Sequence, residues 1–393
     1  MINKNAGLYL HIPFCMRKCS YCDFLSFPAG EDNREQYLKQ LMKEIKERSL
    51  LLEDRCVDTV FLGGGTPSLF DGIQIGRLME TVTKYFKIEK HAEITMEMNP
   101  GTVDEGKLMA YKTSGINRIS FGVQSMQEKE LALLGRIHKV EEFRKNYQLA
   151  RRLEFENINL DLMLALPNQT LQDVKYNLRE AVALKPEHLS CYGLIIEEGT
   201  PFFQEYQQQE LRRQAGEERV GDVLPGEELE REMYQWTCEF LHKEGYEQYE
   251  ISNYSLKGYE CRHNMKYWER GEYLGLGLGA SSFLDNRRFS NVTDMKEYLS
   301  IDIGRMQEEL VAEEEVIDRQ AAMEEFMFLG LRKTAGISKK EFKDNFGAEY
   351  KQIYQSVHER MVHLGLLREE GDRICLTRQG IDVSNYVMSA FLL

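Results

Sequence analysis

Six short apolar runs alternate with five amphipathic stretches over the first half of the chain, and this rhythm limits the folds open to it. The runs lie at 8–12, 57–62, 93–97, 118–121, 157–162 and 188–194. Between them, apolar residues recur at helical intervals over 33–49, 72–86, 104–114, 126–152 and 170–185. Runs of about 4–8 residues are strand-length, and spacing by three and four is helical. Strand, helix, strand at this rhythm means βαβ units and a parallel sheet. Six strands suit an incomplete (β/α) barrel or an open doubly wound sheet. Both place chemistry at the C-terminal ends of the strands.

The informative residues fall there. Cys15, Cys19 and Cys22 follow the first run, and Gly63-Gly64-Gly65-Thr66-Pro67 follows the second. Glu97 ends the third, Gln124 follows the fourth, and Asp161 sits late in the fifth. The spacing C-x3-C-x2-C supplies three thiolates, where an iron–sulfur cluster normally takes four. One iron of a cubane cluster is then left open to a small ligand. The alternative is a structural zinc completed by a histidine such as His11. Structural zinc usually takes paired C-x2-C knuckles, and the chain has no second one. The glycine triplet is either a tight turn or a loop whose backbone approaches a ligand closely. Glu97 and Asp161 stand on apolar strands, and buried carboxylates need partners. Each alone reads equally well as structural. Together on one rim, with Arg136 able to face a carboxylate, they favour a zwitterionic, ribose-bearing ligand.

The chain has 393 residues and a formal net charge of -14. This acidic balance disfavours nucleic-acid binding. The start lacks the long apolar core of a secretory signal, and no run approaches the roughly 20 apolar residues of a membrane span. Five further cysteines (Cys56, Cys191, Cys238, Cys261 and Cys375) are scattered singly. Free thiols in a reducing cytoplasm are therefore expected. A polar segment at 204–228 reads as an exposed helix or insertion, a solvated connection rather than a lid. A helix at 228–244 follows, then a region rich in aromatic residues and glycine at 246–292. Helices at 318–332, 338–346 and 349–364 precede a hairpin of 365–368 with 373–376. That is the outline of a winged-helix module, and its acidic surroundings disfavour DNA.

These motifs carry a specific resemblance. His11-Ile-Pro-Phe-Cys15-x3-Cys19-x2-Cys22 with Gly-Gly-Gly-Thr-Pro resembles the radical S-adenosylmethionine superfamily. Within it, the chain is similar to the branch of oxygen-independent coproporphyrinogen III dehydrogenase (also called oxidase) and the heme chaperone HemW. The likeness extends over nearly the whole chain, through Phe121-Gly-Val-Gln-Ser125 and Asp161-Leu-Met-Leu-Ala-Leu-Pro167-Asn-Gln-Thr170 to the tail. It implies a partial (β/α)6 radical-SAM barrel over 1–240, a connecting region over 241–315 and a mainly helical, winged-helix-like domain over 316–393. It implies a [4Fe–4S] cluster on Cys15, Cys19 and Cys22, whose fourth iron takes the amino and carboxylate groups of exchangeable S-adenosylmethionine. Tyr9, Tyr21, Gly64 and Glu97 match positions that contact this ligand. Gly65, Thr66, Gln124, Arg136 and Asp161 match a second such site in the dehydrogenase.

Two departures from the dehydrogenase point to the HemW side. Position 24 is Phe24 where that enzyme continues C-x-C, and only fourteen residues precede Cys15. A third feature agrees. His263-Asn264-Met-Lys-Tyr267-Trp268 matches the H-N-x-x-Y-W signature that the resemblance links to heme. A histidine beside Tyr and Trp can offer iron a nitrogen and a macrocycle flat faces. The plainer reading is a hydrogen-bonded histidine in an aromatic core. Cys261 is an alternative ligand or a buried thiol. The expected function is a heme chaperone acting with an acceptor protein and an electron donor for the cluster, with peripheral membrane contact through the acceptor. The alternative is radical decarboxylation of coproporphyrinogen III, and a radical methyltransferase is more remote.

Overall fold

The computed structural model describes residues 4–217, 219 and 221–393. The first three residues, part of the start read above for a secretory signal, and positions 218 and 220 of the polar segment lie outside the described residues. Six strands run parallel: β1 (Lys4–Ile12), β2 (Arg55–Gly64), β3 (Ile88–Met98), β4 (Arg118–Gln124), β5 (Ile158–Leu164) and β6 (His188–Gly193). They pair in chain order, β1 to β6. A doubly wound sheet reverses its order at a switch point, so the unbroken order selects the partial (β/α)6 barrel. Alternate residues of β1 (Ala6, Leu8, Leu10 and Ile12) are fully buried in one cluster with Leu38, Leu41 and Ile45 of α1 (Glu31–Arg48). The period-2 and period-3.6 patterns meet in that layer.

Helices α2 (Gly72–Tyr85) and α3 (Glu105–Thr113) cover the next crossovers. The single helix expected over 126–152 is two, α4 (Glu128–Leu133) and α5 (Val140–Arg152). Gly135 breaks it with φ +72°. A Cβ there would stand 2.9 Å from Ser20 Oγ. The break is tied to the cysteine loop: Arg17 Nη2 donates to Gly135 O at 2.8 Å and Ser20 N to Leu134 O at 3.0 Å. α6 (Leu171–Val182) completes the crossovers. The polar segment opens as α7 (Pro201–Gln214), and α8 (Glu227–Lys243) follows it. Phe202 and Tyr206 of α7 are buried against Leu134, Met163, Leu166 and Leu194, so its first turns are packed rather than wholly solvated.

The aromatic and glycine-rich region contributes strands to both edges of the same sheet. β7 (Glu247–Gln248) and β8 (Asn253–Ser255) extend it beside β6. Past α9 (Arg262–Trp268), β9 (Tyr273–Leu276) pairs parallel with β1. β10 (Ser281–Leu284), β11 (Arg287–Asn291) and β12 (Val311–Val316) continue outward. β6 therefore pairs with β8 and not with β1, which leaves the barrel partial. The last segment has its own core around Met327, Phe342, Tyr354 and Phe391. Its helices Arg319–Gly330, Lys339–Phe346 and Tyr350–His363 lead into the antiparallel strands Leu367–Glu370 and Arg373–Leu376, as expected for a winged-helix-like module. Among the described residues, no helix is long and apolar enough to cross a membrane.

One buried acid joins the barrel to its added edge. Glu44 of α1 accepts from Gly277 N at 2.9 Å, Asn291 Nδ2 at 2.8 Å and Tyr298 Oη at 2.6 Å, with Arg48 Nη1 at 4.0 Å. Burial raises the Glu44 pKa and lowers that of Arg48, while each pulls the other back. Removing one member of such a group strands the others without partners. Glu44→Ala should therefore cost about 3–5 kcal/mol in urea unfolding, and Glu44→Gln, which keeps a carbonyl acceptor, clearly less. Equal losses in the two variants would show that volume, not the polar network, matters there.

Candidate functional site

A cleft of about 540 Å³ opens at the C-terminal ends of the barrel strands. It is lined by the cysteine loop, the glycine loop after β2, the Asn99–Thr102 turn after β3, Gln124, the α4–α5 turn and Asp161. Most of the cluster and ligand residues singled out from the sequence line it. Cys15, Cys19, Cys22, Tyr21, Gly64, Gly65, Thr66, Glu97, Gln124, Arg136 and Asp161 come together; Tyr9 and His263 do not.

The thiols are free and half-buried. Burial pushes the Cys22 thiol up to about 11, against the lowering bond from the Phe24 backbone, and Cys19 and Cys15 beside it add to the rise. A cationic centre would favour these sulfurs, because metal ligation deprotonates thiols outright. Thr66 Oγ1 donates to Cys15 Sγ at 3.5 Å and Arg136 Nη1 to Cys19 Sγ at 3.5 Å. Both are donors aimed at sulfur. His11, the fourth ligand of the zinc alternative, bonds Tyr9 Oη through Nδ1 at 2.9 Å and Leu25 O through Nε2 at 2.9 Å. With both ring nitrogens engaged, it offers no lone pair to an ion. His11 therefore does not complete a zinc site, and the three sulfurs remain the candidate cluster ligands.

The glycine triplet is demanded by packing. Gly64 has φ +108°, and a Cβ on it would meet the His11 ring at 2.4 Å. A Cβ on Gly65 would lie 2.6 Å from Phe14 O. Bare backbone at this point lets Gly64 N donate to Glu97 Oε2 at 3.0 Å. Asp161 accepts from Asn159 Nδ2 at 2.8 Å and Ser120 Oγ at 3.1 Å. Arg136 donates to Asn99 Oδ1 at 2.6 Å and to Gly122 O. Asn99 Nδ2 in turn donates to Thr66 Oγ1 at 2.7 Å.

Behind the cleft lies a second chamber of about 220 Å³, sharing Glu97, Asp161 and Tyr192 as its wall. Tyr9 and His263 face this chamber. His263 is buried. Its Nδ1 pairs with Thr59 Oγ1 at 2.9 Å, its Nε2 with Tyr267 Oη at 2.8 Å, and its ring stacks on Phe61 at 5.2 Å. Burial, then Lys266 and Arg118, lowers its pKa to about 3. Cys261 is a buried thiol pushed up to about 12, its Sγ 3.6 Å from Glu93 Oε1. α9 thus seats His263, Asn264 and Tyr267 of the H-N-x-x-Y-W run in the chamber wall, with Glu93 accepting from Arg262 N and His263 N.

Sequence reasoning missed Asn99, Tyr192 and Arg118. Asn99-Pro100-Gly101 directly after a strand was the available signal for the first. Arg118 starts β4 as an ordinary strand-edge cation in the sequence. In the fold it is 2% exposed, and its Nε has no hydrogen-bond partner.

Burial, then Asp161, raises Glu97 to about 8. The folded chain therefore holds a proton that the unfolded chain, titrating near 4.3, has already released. Stability is full below the unfolded value and falls as pH rises through that window to about 8. In urea unfolding, Glu97→Gln should flatten this decline between about pH 5 and 8. A slope equal to that of the parent would remove Glu97 as the titrating group.

The comparisons with known proteins agree with this geometry. Residues 9–181 match the Radical SAM superfamily model and residues 317–383 the HemN C-terminal domain model. The chain is 36% identical over 390 residues to the heme chaperone HemW of Bacillus subtilis, covering 98% of both chains. It is 40% identical over 275 residues to that of Escherichia coli, covering 70% of this chain and 69% of the other. Coproporphyrinogen III oxidase (HemN) from Escherichia coli shares the fold, with a TM-score of 0.82 at 22% identity over 99% of this chain and 90% of that one. An end-to-end match at this identity places the sequence in one lineage of the superfamily: the chain belongs to the HemW family of radical SAM proteins.

Proposed function

We propose that this chain is a heme chaperone, binding heme and passing it to an acceptor protein. The observation that carries the reading is its end-to-end similarity to proteins named heme chaperone HemW, 98% of both chains in the Bacillus subtilis case. Cys15, Cys19 and Cys22 would hold a [4Fe–4S] cluster. Thr66 and Arg136, already donating to two of these sulfurs, would offset thiolate charge and so tune the potential. Tyr21, the Gly64–Thr66 loop, Glu97, Gln124, Arg136 and Asp161 would seat S-adenosylmethionine, the two acids accepting from its hydroxyls and amine. When bound, the cluster and this ligand supply one-electron cleavage of the sulfonium, fed by an external electron donor. The residues of this chain orient the ligand and keep water out. Tyr9, bonded to His11 behind Glu97, would support that wall. His263 would meet heme only where Thr59 and Tyr267 release its ring, because iron needs the lone pair that those bonds now use.

The test is threefold on anaerobically reconstituted protein. Cys19→Ala should lose stable [4Fe–4S] absorption. The parent should bind heme stoichiometrically with a Soret band. With reductant and S-adenosylmethionine it should leave coproporphyrinogen III intact. Conversion to protoporphyrinogen IX with loss of two carboxylates would replace the chaperone with the decarboxylating enzyme.

A further inference from the structure

The interior of this barrel is polar where barrel interiors are ordinarily filled by branched apolar side chains. In the chamber behind the cleft, Arg118 and Ser120 of β4, Asn159 of β5 and Ser190 of β6 take those places. The chamber measures about 220 Å³, far more than the roughly 10–15 Å³ that a single water requires. The wall it shares with the cleft is not packed shut, since Tyr192 on that wall is 37% exposed.

Arg118 is the group without a partner there. Among the described residues its guanidinium makes no hydrogen bond and no ion pair within 4 Å. Its Nε is enclosed, so Nη1 and Nη2 hold the accessible surface that the side chain retains on the chamber. The acids whose fields act on it are turned to other donors. Glu93 accepts from Arg262 N at 3.0 Å and His263 N at 3.1 Å, and Asp161 from Asn159 Nδ2 and Ser120 Oγ. A buried charge left in this way is costly unless something pairs with it. Asn264 supplies a second group. His263 and Tyr267 bond each other, whereas the Asn264 side-chain amide makes no hydrogen bond among the described residues. A guanidinium holds its N–H donors in a planar fork that fits a carboxylate through two parallel bonds, and an amide adds a third donor. Burial raises both acids of the shared wall, Glu97 to about 8, which weakens their repulsion of an entering anion.

We infer that the inner chamber is a carboxylate-binding site, with Arg118 Nη1 and Nη2 as the fork and the Asn264 amide as the third donor. The carboxylate belongs to a small free acid or to the arm of a longer molecule seated in the cleft. The site gives Asn264 of the H-N-x-x-Y-W run a binding role. It goes beyond the heme-chaperone reading and does not depend on it.

Sodium acetate is titrated by calorimetry into the full chain at constant ionic strength, with sodium chloride as the balancing salt. Saturable binding of one acetate per chain is expected. Arg118→Lys keeps the charge but loses the fork, and should weaken binding about tenfold. Asn264→Ala should weaken it several-fold. Asn264→Asp supplies a carboxylate from the chain itself, so it should raise the Tm and abolish acetate binding. That variant also tests the site should Arg118→Lys fail to fold. No saturable heat in the parent, or parental affinity in Asn264→Asp, would overturn the site and leave the chaperone reading untouched. Repeating the titration on cluster-loaded protein with S-adenosylmethionine separates the two sources, and either result supports the site. Persistent acetate binding assigns it to a free acid, and competition assigns it to the arm of a cleft ligand.

Discussion

The cysteine loop has no regular secondary structure, and the site depends on how it is held. Three thiols must stand near one another before any cluster binds, and a free loop would not keep them there. The restraint is backbone hydrogen bonding to four separate segments. Cys15 N bonds Phe27 O, and Thr66 N bonds Phe14 O at 2.7 Å from the glycine loop. Ser20 N bonds Leu134 O at the α4–α5 turn, and Phe202 N at the start of α7 bonds Ser20 O at 2.9 Å. Each bond satisfies a backbone group that would otherwise be left open. Together they make the loop part of the barrel rim. The packed start of α7 and the break at Gly135 are then understandable as consequences of the site.

Charge is balanced in the same region by burial rather than by close ion pairs. Glu97 and Asp161 stand between the cleft and the inner chamber, and burial raises both. Arg118 is fully enclosed, and Cys261, Glu93, Tyr249 and Asp161 around it hold its charge. No ion pair within 4 Å forms between these groups among the described residues. A zwitterionic ligand bearing hydroxyls would meet protonated or weakly screened acids here, whose acceptor oxygens are not already committed to a cation. Arg136 differs: it is tied to Asn99, Gly122 and Cys19. It braces the sulfur side of the cleft.

The barrel was legible because its six strands are long enough for periodicity to register and because fully buried parallel strands are apolar throughout. The outer strands were not, since elements of two to five residues such as Glu247–Gln248 and Asn253–Ser255 carry no period. The split of the helix at 126–152 was hidden in Gly135, a residue tolerated within a helical pattern but here required at φ +72°. Most of the cleft could be read from residues at strand ends, because topology carries those to one rim whatever the loops do. Tyr192 and Arg118 could not. Their roles come from partners distant in sequence, and their residue types are commonplace.

The two histidines show why a motif and an environment are different kinds of information. His263 sits in a pattern that draws attention, and the fold gives it a sealed place between Thr59, Tyr267 and Phe61. His138 sits in an unremarked turn, and the fold encloses its Nε2 without a hydrogen-bond partner. Sequence spacing reports which residues travel together along the chain. Ligand binding depends on which lone pairs remain uncommitted after folding, and only the hydrogen-bond inventory of the folded state reveals that. On that inventory the ring of His263 belongs to the chamber wall, and the Nε2 of His138 is enclosed without a partner.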